Sequence, residues 1–129
     1  MHVMDASALL ALARGERGAE VVEELLETSD CVASSVNMAE VGAKLVDAGL
    51  PVSDLARALA QFDVGVVDFS AELAQSSAAL RQVTRSVGLS LGDRACLALA
   101  GQLDAIAVTA DGAWLDVADA VGVTVLMIR

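Results

Sequence analysis

The chain has 129 residues, 56% hydrophobic and 20% charged, which is too apolar for a disordered segment and sufficient for a packed core. Eight Lys and Arg against 18 Asp and Glu leave a formal net charge of −10, excluding a basic protein that coats nucleic acid. Aromatic residues are 2% with no Tyr, which argues against a base-stacking platform and leaves the core to Ala, Val and Leu.

A brief apolar run over His2–Met4 predicts a strand ended by Asp5, and Ala6–Leu12 opens an Ala- and Leu-rich helix. After a turn around Arg14–Gly18, Ala19–Glu27 carries Val21, Val22, Leu25 and Leu26 at helical spacing. Cys31–Ala33 reads as a strand, and Ser34–Ser35 as the cap of a helix over Val36–Ala48 that stops at Gly49. Val36, Ala39, Ala43 and Val46 share one face of that helix. Pro51 suits the first turn of another helix reaching about Gln61. Val64–Val67 is a β-branched strand, and Ser70 caps a long helix running to about Val87, closed by Gly88. Ser90 and Asp93 form a variant capping box for the next helix. Ala105–Thr109 predicts a strand, Asp111–Ala120 a helix and Val123–Ile128 a final strand.

Strands separated by helices predict a mainly parallel sheet wrapped on both sides, a single α/β domain over residues 1–129. Met1–Asp5 has no basic segment, and Gln102 and Asp104 break the apolar stretch Cys96–Ala110. A cytoplasmic protein with no membrane contact is therefore expected. Cys31 and Cys96, far apart, are expected as buried reduced thiols, and the lone histidine, His2, gives histidine chemistry no support.

In α/β sheets, sites form where strands end and the next helices begin. Four acids fall at such places: Asp5, Glu40, Asp93 and Asp111. Singly, each is explained as well or better by capping or by solvation at a helix first turn, worth about 0.3–1 kcal/mol. Gathered at one sheet edge, they would repel one another, and the chain has a single lysine, Lys44, with only Arg94 adjacent to one of them. A hard divalent cation resolves that repulsion, and Mg²⁺ or Mn²⁺ takes such oxygen ligands together with water and substrate phosphate. Held this way, the ion supports phosphodiester cleavage without a catalytic histidine.

These residues resemble the PIN-domain ribonucleases, specifically the VapC toxins of type II toxin–antitoxin modules, over essentially the whole chain. Met4–Leu9 is similar to the opening motif and Ser34–Val41 to the segment carrying the second acid. Gly88–Ala100 is similar to the form common in these toxins, and Val108–Asp111 with Trp114 to the last motif. Asn37 stands where a Thr is often found, three residues before the glutamate. The resemblance implies a three-layer α/β/α fold with a mainly parallel sheet and Mg²⁺- or Mn²⁺-dependent endonucleolytic cleavage of RNA. It implies Asp5 and Asp93 as metal ligands, with Glu40 and Asp111 completing the cluster directly or through water. Ser7 and Thr109 fit two roles equally, orienting the carboxylates or capping strand–helix turns. The resemblance also implies a cognate antitoxin presenting an Arg or Lys to the acids, and a homodimer.

The negative field repels RNA, so local cations are needed: Arg81, Arg85 and Arg94 are the candidate phosphate contacts, with Arg14 and Arg17 behind them. Pairing of Arg81 and Arg85 with acids such as Glu72 is an equal alternative. Asp116 reads as a solvent-facing charge and Trp114 as core or interface. The principal rival to an enzyme is an inactive module of the same fold that uses its acidic edge for partner contact. A phospho-acceptor domain is disfavoured because Asp5 stands alone near the first strand, and no phosphate-binding glycine loop occurs.

Overall fold

Five short runs pair side by side in the computed structural model, which describes residues 1–129: β1 (His2–Met4), β2 (Cys31–Ser34), β3 (Gly65–Val67), β4 (Ile106–Thr109) and β5 (Val125–Met127). All pairings are parallel and the order is β3-β2-β1-β4-β5. Parallel neighbours cannot be joined by tight turns, so each crossover carries helix. One face of the sheet receives α1 (Ala6–Arg14), α2 (Ala19–Thr28) and α3 (Ser35–Asp47), with α4 (Leu55–Ala60) packed on α3. The other face receives α5 (Ala71–Ala79), α7 (Leu91–Leu103) and α8 (Ala118–Val121), with α6 (Arg81–Thr84) following α5. The result is the expected three-layer α/β/α arrangement.

The pleat sends neighbouring residues to opposite faces, and the two cores follow from it. Met4 and Val108 join Leu9, Val22, Ala33 and Val41 on the first face. Val3 and Ala107 join Leu73, Leu97, Leu99 and Trp114 on the second. Both cysteines are buried and free, as expected. Gly18 is held at φ +94, where a Cβ would meet the Ile128 carbonyl oxygen at 2.6 Å, so the turn into α2 admits no side chain there. No helix is long and apolar enough to cross a membrane.

Local signals were met where capping is local. Ser34 accepts from the Val36 N–H at 3.2 Å, Ser70 from Leu73 at 3.1 Å, and Ser90 with Asp93 forms the full capping box. Three expectations are corrected. The helix after Ser70 does not run unbroken to Val87: beyond Ala79 the bonds tighten to Val83 N–H on Leu80 O, and a 3₁₀ turn follows over Arg85–Val87. The segment after Pro51 starts as a 3₁₀ turn over Val52–Asp54 before α4. Asp111–Ala120 is a 3₁₀ turn over Gly112–Asp116 followed by the short α8. The three-residue period of that turn stacks Trp114 with Val117, and both enter the core.

The face of α3 that packs inward also differs from the apolar stripe. Asn37, Met38, Val41 and Gly42 are buried, whereas Ala39 and Ala43 are exposed. We expect Leu99→Ala, which empties a fully buried position in the Trp114 core, to cost about 2–5 kcal/mol. Urea unfolding followed by the fluorescence of the single tryptophan measures it.

Candidate active site

The strand order reverses direction between β1 and β4, and in open α/β sheets the crevice at that reversal, beyond the strands' carboxyl ends, is where sites form. Asp5 is the residue that leaves β1 there. Its N–H continues the ladder to Val108 O at 2.9 Å, and it is only 3% exposed. It occupies the N-cap position of α1 but makes no side-chain capping bond, so capping does not explain it. Instead, its Oδ2 accepts from the Ser7 hydroxyl at 2.6 Å and from the Thr109 hydroxyl at 2.9 Å, leaving Oδ1 without a side-chain donor. The two hydroxyls are themselves aimed by backbone: Ala110 N–H donates to Ser7 Oγ at 3.0 Å, and Asp111 N–H to Thr109 Oγ1 at 3.1 Å. Since each hydroxyl has one hydrogen, both are spent on Asp5.

Glu40 arrives from α3. The fully buried Asn37 donates from Nδ2 to Glu40 Oε2 at 3.2 Å and to the Gly92 carbonyl at 3.0 Å, so both amide hydrogens are used. Its Oδ1 has no partner. Gly92, in the first turn of α7, provides the seat, because a Cβ there would occupy the space of the Glu40 carboxylate. Asp93 is held by the capping box: its Oδ2 accepts from Ser90 N–H at 2.8 Å, and its own N–H donates to Ser90 Oγ at 3.2 Å.

Asp5, Glu40 and Asp93 line one open pocket of about 350 Å³, with Ser7, Lys44 and Asp47 also in its wall. Burial pushes the Asp5 carboxyl up to about 6; the Ser7 and Thr109 hydroxyls oppose this and the Asp93 charge adds to it. Burial also raises Glu40; Asn37 opposes this, Asp93 reinforces it and Lys44 opposes it. Beneath the pocket, burial pushes the Cys96 thiol well up, and the charges of Asp5, Asp93 and Glu40 act in the same direction. Against four carboxylates the lining has a single cation, and the three ion pairs of the chain all lie elsewhere. This hard, all-oxygen and undercompensated donor set fits a Mg²⁺-type ion. The side chains stand around the pocket without three of them closing on one point.

Asp111 follows β4 at the same sheet edge but lies outside the pocket lining, with Oδ1 turned to accept from Ala113 N–H at 3.0 Å. Its backbone N–H, rather than its carboxylate, reaches the Asp5 network. Arg81 opens α6, is exposed and donates to Leu89 O at 3.4 Å, and Arg85 follows α6, exposed, at the start of the 3₁₀ turn. Neither pairs with Glu72 or any other acid. Arg94 is folded onto α5, donating to Ser77 O at 3.0 Å with its Nε buried and unpaired. None of the three lines the pocket. Asp116 is exposed and Trp114 is fully buried, each as read from the sequence. Sequence reasoning passed over Lys44 and Asp47, although Glu40, Lys44 and Asp47 recur at i, i+4 and i+7, a single helix face. It also passed over Gly92, whose seat for Glu40 leaves no local signal.

Two outcomes follow. Gly92→Ala keeps or raises the melting temperature, since alanine favours helix by up to about 1 kcal/mol, while expelling the Glu40 carboxylate. Carboxyl-detected NMR titration is expected to show the Glu40 pKa falling toward its ordinary range. A carboxyl whose folded pKa, about 6, exceeds its ordinary 3.8 stabilises the fold most at low pH, and that contribution is lost as pH rises through 6. In chelator, Asp5→Asn is therefore expected to be more stable than the parent above pH 7, on the order of 2 kcal/mol, with the gain shrinking below about pH 6. Urea unfolding at a series of pH values reads this.

The PIN domain family model matches residues 3–120. Among solved structures, the fold is similar to a toxin–antitoxin complex from Klebsiella pneumoniae, with TM-score 0.74 and 22% identity over 100% of this chain and 98% of that one. A DNA-bound VapBC from Salmonella typhimurium gives TM-score 0.75 and 14% identity over 99% and 98%. A sarcin–ricin-loop-cleaving VapC toxin from Mycobacterium tuberculosis gives TM-score 0.72 and 18% identity over 87% and 91%. No curated protein sequence matches the chain. The family model, the sheet order and a buried aspartate at the strand-order reversal agree, and the chain belongs to the PIN domain family.

Proposed function

We propose that this PIN domain is a Mg²⁺- or Mn²⁺-dependent endoribonuclease acting as the toxin of a toxin–antitoxin pair. The observation that carries the reading is the buried, cation-free Asp5 sharing a pocket with Glu40 and Asp93. The similarity of fold to toxin–antitoxin proteins, one of them a toxin that cleaves the sarcin–ricin loop, supports it. Asp5 and Asp93 would hold the ion, with Glu40 and Asp111 completing the set directly or through water. When bound, the ion would polarise a phosphoryl oxygen and lower the pKa of an attacking water.

The chain's own residues prepare the site. Ser7 and Thr109 fix the Asp5 carboxylate in one orientation, so no reorganisation is required when charge develops beside it. Asn37 and Gly92 keep Glu40 turned toward α7. Asp93 keeps Oδ1 clear because Oδ2 is spent on the Ser90 N–H. The net charge of −10 disfavours bulk RNA and suits one structured target. The same undercompensated acids suit a bidentate Arg, or a Lys, from a cognate antitoxin. A homodimer in the cytoplasm belongs to the same reading, with its contact surface drawn from α2 and α3 away from the pocket wall.

The purified protein is expected to cut one member of a panel of tRNA, rRNA and mRNA with Mg²⁺ or Mn²⁺ and none with EDTA. Asp5→Ala and Asp93→Ala should each lower the rate by about 10²-fold or more and relieve growth inhibition on expression. Variants as active as the parent would remove the site. Intact RNA under every condition, from a folded protein, would favour the non-catalytic module.

A further inference from the structure

Lys44 is the only basic side chain in the wall of the acidic pocket and the only lysine of the chain. It lies one helical turn beyond Glu40 and three residues before Asp47. Glu followed by Lys at i, i+4 is a favourable surface pair, and such pairing is the ordinary fate of a lysine in this position. That pair does not form here: no carboxylate lies within 4.0 Å of the Lys44 ammonium, which is in none of the chain's ion pairs. The reason is on the other side of Glu40. Asn37 and the open seat at Gly92 draw the carboxylate inward, away from its helical partner. The ammonium is left exposed, with three donors and no acceptor to satisfy them, at the mouth of a pocket whose other charges are all negative.

An RNA strand entering this pocket meets Asp5, Glu40, Asp47 and Asp93 before it meets any other cation. No arginine lines the pocket: Arg94 is turned to Ser77 O and Arg81 to Leu89 O, while Arg85 is exposed and lies outside the lining. We propose that Lys44 is the phosphate-contacting residue of the site, its ammonium binding a non-bridging oxygen of the RNA backbone at the pocket mouth. A flexible four-carbon stem and a compact charge suit a strand whose phosphates move as it seats. The assignment rests on the ribonuclease reading and deepens it by naming how a strongly acidic protein holds its anionic substrate.

The test uses full-length protein with a labelled single-stranded RNA spanning the cleaved site. Anisotropy in Mg²⁺ is recorded at rising salt, and steady-state cleavage is measured alongside. Loss of one charge-assisted contact is expected to raise Kd and KM for Lys44→Ala by about tenfold or more, with a smaller change in kcat. The slope of log affinity against log salt is expected to flatten by about 0.7, the value for one single-strand phosphate. Lys44→Arg should recover most of the affinity. Arg57→Ala, which removes the same charge from an exposed residue paired with Asp54 on α4, should behave as the parent. Unchanged KM and salt slope in Lys44→Ala, or a shifted pH–rate profile as its only effect, would overturn the assignment and make Lys44 a modulator of Glu40. A parent that neither binds nor cuts any RNA of the panel would instead defeat the ribonuclease reading itself.

Discussion

A carboxylate in the interior, held by two hydroxyls and no cation, is the constraint around which the rest of this structure is arranged. Asp5 is where it is because β1 and β4 are neighbours and the strand order turns back between them. Burying an ionised group is unfavourable unless it is hydrogen-bonded and compensated, and here the hydrogen bonds are supplied but the charge compensation is not. The hydroxyls come from residues separated by 102 positions, so the arrangement exists only while the central pair of strands is intact. The backbone N–H groups of Ala110 and Asp111 aim them, which ties the turn after β4 to the acid after β1. Fold and site are thereby one hydrogen-bonded unit.

Of the four carboxylates in the pocket wall, Asp5, Glu40 and Asp93 are each restrained by a different device. Asp5 is gripped by hydroxyls and burial, Glu40 by one amide and a missing side chain, Asp93 by the helix start it caps. The capping box serves two purposes: it satisfies first-turn backbone donors of α7, and it turns one Asp93 oxygen toward the helix while leaving the other free. The unsatisfied Asn37 Oδ1 is the counterpart of that economy, since the side chain spends both donors on the site and leaves its acceptor buried without a bond. Such a site is less stable empty than a neutral one of the same shape, which is the usual relation between a prepared charged pocket and the stability of its fold.

Much of the architecture was legible because its causes are local. Ser34, Ser70 and the Ser90–Asp93 pair cap helices through bonds spanning two or three residues, and short apolar runs between helices became the five parallel strands. Reading failed where packing overrode pattern. Val36, Ala39, Ala43 and Val46 share one face of α3 by spacing, yet the fully buried residues of the helix are Val41 and a polar one, Asn37, which bonds to Glu40 on α3 and to Gly92 on α7, 55 residues away. The segment holding Trp114 reads as α-helix by composition, but it forms a 3₁₀ turn, from which Trp114 and Val117 both enter the core. The long helix after Ser70 is interrupted after Ala79, and Arg81 and Arg85 flank the short α6 outside the pocket lining.

The order of residues alone determined that this would be a parallel α/β sheet and that acids would stand at strand ends and helix starts, because alternation, capping and turn chemistry act within a few positions of the chain. Which of those acids would face one another was settled only by the packed molecule. Asp5, Glu40 and Asp93 line one pocket because α3 and α7 are brought together over the ends of β1 and β4, while Asp111, at an equally suitable sequence position, turns its carboxylate to its own helix start. That choice depends on distances through space between segments remote in sequence, and no periodicity carries it.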